Sequence, residues 1–151
     1  MTALDIAKYI VTGCSKANQP VTQIHLQNML FVIQVEYLKR GQVAFSESIE
    51  ARRFGPCVPG VYYAFAGFGS MEIQMEYDTA ISVKDKEILD MIIAQHIDKK
   101  PWDYEATIRK PGSPWDLSLN QGIQNNRATG SYPIITIELM KQIYCQPSEV
   151  M

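Results

Sequence analysis

The chain has 151 residues, 46% apolar and 20% charged, which suits one compact domain with its own core and excludes a disordered chain. Its formal charge is −2, and its fourteen basic residues are scattered apart from Lys39-Arg40, Arg52-Arg53 and Lys99-Lys100, so the basic face of a general nucleic-acid binder is missing. Cys14, Cys57 and Cys145 form no CxxC pair, and His25 and His96 are not at ligand spacing from them, which argues against structural zinc and for reduced thiols.

The opening MTALDIAKYIV holds Asp5 and Lys8 inside its apolar pattern and does not read as a signal peptide. The apolar stretch around 29–38 is interrupted by Gln34 and Glu36 and is too short to span a bilayer. A soluble cytoplasmic protein with no membrane partner is the expectation. Residues 3–16 place Ile6, Ala7, Ile10, Val11 and Cys14 at helical spacing. After Gln19-Pro20, Thr22 is the N-cap of a long second helix that ends before Gly41. One stripe of it carries Leu26, Met29, Leu30, Ile33 and Tyr37, and another Ile24, Phe31, Val35 and Leu38. A helix apolar on nearly all sides belongs in the centre of a domain.

The helical period is lost over 42–50, and Ile49-Glu50-Ala51-Arg52 alternates as a short strand does. Gly55-Pro56 then punctuates, and a helix runs from Val58 to Phe68 with Pro59 in its first turn and Gly69 as its stop. Ser82 and Asp85 have capping-box spacing and open a helix with Ile88, Leu89, Ile92, Ile93 and His96 on one face. Pro101 ends it, and residues 102–110 suggest a short further helix. From Lys110 to Pro133 the chain is rich in Gly, Ser, Pro and Asn and reads as irregular, anchored by Trp115. Thr136 opens a short terminal helix. The whole is mainly α, a single domain over 1–151 built around the buried second helix, with a two-stranded β element pairing 49–53 with 133–136.

No GxSxG, GxxxxGK, HExxH or GxGxxG is present, so no common catalytic or phosphate-binding motif is found. Gly67-Phe68-Gly69-Ser70 lacks the lysine of a phosphate cradle and reads as a helix end. Glu72, Glu76 and Asp78 lie in a polar stretch and read as solvated surface rather than an acid pair. His25 has no orienting Asp or nucleophile beside it, and His96 sits where a cation or a donor helps satisfy helix carbonyls; both read as structural. Trp102 follows Pro101 at a helix end beside Lys99-Lys100, a place for either an interface or an anchor. No enzyme, cofactor or metal is expected.

ARRFGPCVPGVYYAF, residues 51–65, combines charge, a rigid turn and aromatics. Glycine permits a turn that bulkier residues resist and proline fixes φ, so Gly55, Pro56, Val58 and Pro59 form a hinge that packs Tyr62 and Phe65 inward. Arg52, Arg53 and the outer edge of Tyr63 are left for contact with a protein, as is Trp102.

This stretch, with the second helix, resembles the Panacea domain, the SocA/GepA-like family of phage- and plasmid-associated antitoxins. Three pieces carry the likeness: Leu4 to Ile10, Ile24 to Gln34, and above all Ile49-Glu50-Ala51 running through Gly55-Pro56-Cys57-Val58-Pro59 to Tyr62, with Phe45 before it and Phe65 to Gly69 after it. Weaker echoes at Ile88-Leu89, Pro114-Trp115 and Ile137 to Tyr144 extend it over nearly the whole chain. His25 and Asn28 stand where the family has lysines, Arg52 where it has tryptophan, and Thr107 is followed by Ile108 rather than histidine, the mark of a divergent member. The resemblance implies helices around the buried second one and an antitoxin that neutralises a cognate toxin, encoded by an adjacent gene, by direct complex formation. Two alternatives stay open: an adaptor that delivers a bound partner to a protease, and a DNA-binding phage regulator. The second is weak, because the terminal helix carries only Lys141.

Overall fold

The computed structural model describes residues 1–125 and 132–145. Among them the chain is mainly helical, with seven α-helices and a small three-stranded antiparallel sheet. No described helix is long and apolar enough to cross a membrane.

Helix α1 (Ala3–Lys16) starts with a full capping box: the Asp5 N–H donates to Thr2 Oγ1 and the Thr2 N–H to Asp5 Oδ2, each at 3.0 Å. Those bonds hold the Asp5 carboxyl below its ordinary pKa. Helix α2 (Gln23–Lys39) is the spine that its apolar surround predicts, touching α1, the strand Gly55–Cys57 and the later helices Val83–His96, Pro101–Thr107 and Ile137–Tyr144. Leu26, Met29, Leu30 and Ile33 are fully buried, whereas Ile24 at its start is exposed.

Four amide side chains, Gln23, Gln27, Asn28 and Gln34, are buried on this helix, and all but Asn28 tie down chain. Gln34 Oε1 accepts from the Ala44 N–H at 2.8 Å and its Nε2 donates to the Phe45 carbonyl at 2.7 Å, which seats Phe45 in the core. Gln27 Oε1 accepts from the Val58 N–H at 2.8 Å and its Nε2 donates to Gln23 Oε1 at 3.2 Å. Buried backbone groups outside regular ladders need such partners.

Strand β1 (Ile49–Arg52) lies between β2 (Gly55–Cys57) and β3 (Ile134–Ile135). The predicted pairing with the C-terminal segment forms, with Ile49 opposite Ile135 and Glu50 opposite Ile134. The hairpin is the departure: Gly55-Pro56 is itself strand, and the reversal falls on Arg53-Phe54, with Arg52 opposite Gly55. Gly55 takes φ of 136°, open to glycine and strained for other residues. Pro56 lies on the edge strand, where a missing N–H leaves no ladder bond unmade.

Val58 leads into α3 (Pro59–Ala64), with Pro59 in its first turn. The single helix expected to Phe68 is instead split at Phe65, and a 3₁₀ turn, Ala66–Phe68, carries the chain to Gly69. Thr12 and Ser15 on α1 then hold an extended segment: the Tyr77 N–H donates to Thr12 Oγ1 at 2.8 Å, and Ser15 Oγ donates to the Ile73 carbonyl at 3.2 Å. Glu72, Glu76 and Asp78 on this segment are exposed, as read.

Helix α4 (Val83–His96) begins at Ser82, whose Oγ accepts from the Asp85 N–H at 3.1 Å. Asp85 does not return a bond to the cap backbone; its carboxylate accepts from Tyr37 Oη at 2.6 Å, binding α4 to α2. Pro101 opens α5 (Pro101–Thr107). Beyond it the irregular segment expected after Lys110 is corrected: α6 (Pro114–Asn125) forms, capped by Ser113 Oγ, which accepts from the Asp116 N–H at 3.1 Å. Trp115 still anchors, its Nε1–H donating to the Arg52 carbonyl at 2.7 Å. The rest of the expected irregular stretch, 126–131, lies outside the described residues. Thr136 caps α7 (Ile137–Tyr144), as predicted.

Candidate functional site: an aromatic face beside a polar cleft

Helix α3 packs on the β1–β2 turn through Tyr62, and Arg109 joins that turn to the start of α5. Its Nη1 donates to the Phe54 carbonyl at 2.9 Å and its Nη2 to the Pro101 carbonyl at 3.4 Å, joining the hairpin tip to α5. Phe54 stacks on Tyr62 with ring centroids 6.1 Å apart, and Tyr63 meets Tyr62 edge-on at 5.7 Å. Tyr63 is 67% exposed and Trp102, next to Pro101, is 64% exposed. Arg53, in the turn itself, is exposed too. Three of the four residues assigned to a partner therefore stand at the surface on connected elements.

Arg52 is the exception. It is 9% exposed, and both Nε and Nη2 donate to Glu50 Oε1, at 2.9 and 2.8 Å. Its guanidinium lies 5.2 Å from the Tyr62 ring centroid and 4.4 Å from that of Tyr132. The alternation of β1 turns this side chain toward Glu50 and the two rings, so it serves the hairpin and offers little to a partner. The hinge residues Gly55, Pro56 and Val58 are buried and Pro59 is half-buried. Tyr62, expected to pack inward, is half-buried between Phe54 and Arg52.

Beside this face opens a cleft of about 630 Å³ between the N-terminal end of α2, the α4–α5 joint and the strand-like run near Glu72. Thr22, Ile24, His25 and Asn28 line it from α2, and Lys99, Lys100, Pro101 and Tyr104 from the other wall. Asp98 also lines it, its Oδ1 accepting from Gln19 Nε2 at 2.6 Å.

Sequence spacing separates His25 from His96; the fold joins them. His25 Nε2 lies 2.9 Å from the His96 carbonyl, so it is the protonated nitrogen. His96 Nδ1 meets Tyr104 Oη at 3.0 Å, and the two rings stack at 5.8 Å. Burial lowers the pKa of both imidazoles; Lys100 lowers that of His25 further, against the opposing pull of the His96 carbonyl, and Lys99 that of His96. His96 is thus held toward its neutral form. Burial also raises the Tyr104 hydroxyl and pushes the Cys14 and Cys57 thiols up to about 11. The pair and Tyr104 therefore act as neutral hydrogen-bonding groups that fix the α4–α5 joint on α2.

Asn28, Arg109 and Tyr104 are the residues that sequence reasoning missed. Asn28 alone gave a signal, a short amide inside an apolar stripe. Among the described residues no group of three or more His, Cys, Asp or Glu side chains could hold a metal ion. No family model matches the chain, and no curated protein or solved structure matches it significantly.

Proposed function

We propose that this chain is a protein-binding module of the antitoxin type, which neutralises a cognate toxin by direct complex formation and itself makes or breaks no covalent bond. The observation that supports docking is the pair of large aromatics left in solvent, Tyr63 at 67% and Trp102 at 64%; Arg109 ties the hairpin turn to α5, and Phe54 of that turn stacks on Tyr62, the neighbour of Tyr63. Tyrosine and tryptophan supply much contact area for little conformational entropy and dominate binding hot spots. Arg53 adds a charged fork at the rim. The toxin as partner, and its place in a neighbouring gene, come from the likeness of Ile49 to Tyr62 to the Panacea domain.

The test is co-expression with the protein encoded next door. The two copurify, and growth is rescued from that protein's toxicity. Replacing both Tyr63 and Trp102 by Ala weakens the complex by a factor of about 30 or more, the scale of one lost hot spot, while the urea midpoint of the isolated chain stays put. A neighbour that neither copurifies nor is neutralised sinks the reading.

A further inference from the structure

Helix α5 has seven residues and buries one of them, Tyr104. Its polar connection to the spine runs in series through α4. His25 on α2 donates to the His96 carbonyl, and His96 Nδ1 in turn meets Tyr104 Oη. Open space lies on both sides of this chain of bonds. The polar cleft reaches His25 and Tyr104, and a second, mostly apolar cavity of about 190 Å³ reaches His96 and Tyr104 from the side of Phe31 and Tyr144. A short element with so few packed neighbours opens at a lower free energy than the core does.

The bond to Tyr104 holds only while His96 is neutral. Tyr104 is 2% exposed, and His96 Nδ1 is the only partner of its hydroxyl among the described residues. The hydroxyl therefore donates, and Nδ1 accepts. A proton on Nδ1 turns it into a donor and leaves the buried hydroxyl hydrogen without an acceptor. The facing charges do not compensate. On the cleft side stand Lys99 and Lys100, while Asp98 is engaged by Gln19 at 2.6 Å and Glu72 is exposed. On the other side Asp103 accepts from the Lys100 N–H at 2.8 Å, and Glu36 is paired with Lys39 and Arg40. Cys14 and Tyr144, the other ionisable groups near Tyr104, are kept neutral by burial. His25 Nε2 carries its hydrogen in either charge state, so the end of α4 stays tied to α2 when His96 changes.

We propose that His96 and Tyr104 form an acid-released latch: a proton taken up by His96 frees Tyr104, and α5 opens from α2 about the joint 97–100 ahead of the rest of the fold. Trp102 travels with α5, so acid also takes the docking face apart. That consequence rests on the docking reading; the latch itself does not.

Amide hydrogen exchange in the full chain from pH 7.5 to 5, corrected for its intrinsic pH dependence, is the test. The Ile108 and Arg109 N–H groups, both bonded to the Tyr104 carbonyl, report on α5, and the Leu30 and Ile33 amides report on α2. Expected is faster exchange in α5 than in α2 throughout, with α5 protection falling about tenfold or more toward pH 5, the scale of one buried donor left unpaired. His96→Gln keeps an acceptor for the Tyr104 hydroxyl and takes up no proton, so its α5 protection loses that fall. Tyr104→Phe lacks the bond at every pH, so its α5 is already poorly protected at pH 7.5. No fall in α5, exchange of α5 at the rate of α2, or a fall that persists in His96→Gln overturns the latch. Should His96→Gln not fold, wild-type protection in Tyr104→Phe at pH 7.5 overturns it instead. Equal capture of the neighbouring protein across the range, with α5 open at the acid end, removes Trp102 from the docking face and leaves the latch standing.

Discussion

Helix α2 treats two of its amides, Gln34 and Asn28, in opposite ways. Toward its C-terminal end, the Gln34 amide is fully spent on the Ala44 N–H and the Phe45 carbonyl. Toward its N-terminal end, the Asn28 amide is as deeply buried and makes no hydrogen bond among the described residues. Burying an amide oxygen without a partner costs free energy, so Gln34 adds to stability and Asn28 gives some of it up.

That contrast breaks most visibly at Gln34. Gln34→Leu strands a buried N–H and a buried carbonyl together, and urea denaturation is expected to show a loss of about 2–4 kcal/mol. A loss under about 0.5 kcal/mol, the scatter of ordinary surface changes, would erase the distinction between the two amides.

The next effect is one of pH. His25 and His96 have folded pKa values below 6.5, so the unfolded chain binds more protons than the folded one as pH falls past that value. Stability is complete above about pH 6.5 and declines as pH drops toward the lowered folded values. Urea midpoints measured from pH 7.5 down to 5 should fall, and His25→Gln should flatten the curve; an unchanged slope would show that the pair is not held neutral.

The smallest effect is at Asn28. Replacement by Leu keeps most of the side chain's bulk and removes an unpartnered buried oxygen, so stability should rise, by about 1 kcal/mol. A loss as large as that from Gln34→Leu would mean that Asn28 serves the fold.

Much of the architecture was legible because it is written locally. Apolar stripes mark α1, α2 and α4, and Thr22, Ser82 and Thr136 mark helix starts by a side-chain oxygen ahead of the stripe. Helix α6 was missed although Ser113, Pro114 and Asp116 are sound start signals, because the surrounding Gly, Ser and Asn obscured them. Strand β2 was read as a turn because it contains Gly-Pro, and only its edge position makes proline admissible there. Tyr63 and Trp102 were picked out for a surface they do occupy; Arg52 was misplaced because its neighbours Tyr62 and Tyr132 come from other parts of the chain. The His25, His96 and Tyr104 cluster and the Asn28 cleft depend on where α5 returns to α2, and no spacing in the sequence encodes that return.

The strand order β2-β1-β3 has a consequence for the timing of biosynthesis. One edge of β1 closes on its immediate successor within a few residues, but the other stays open until Ile134-Ile135 leave the ribosome. For most of translation the nascent protein thus carries a vacant β-edge flanked by Ile49, an invitation to mispair with another chain. A transcript cut short ahead of that final pair would yield a sticky fragment, so completing the chain is also what makes it safe.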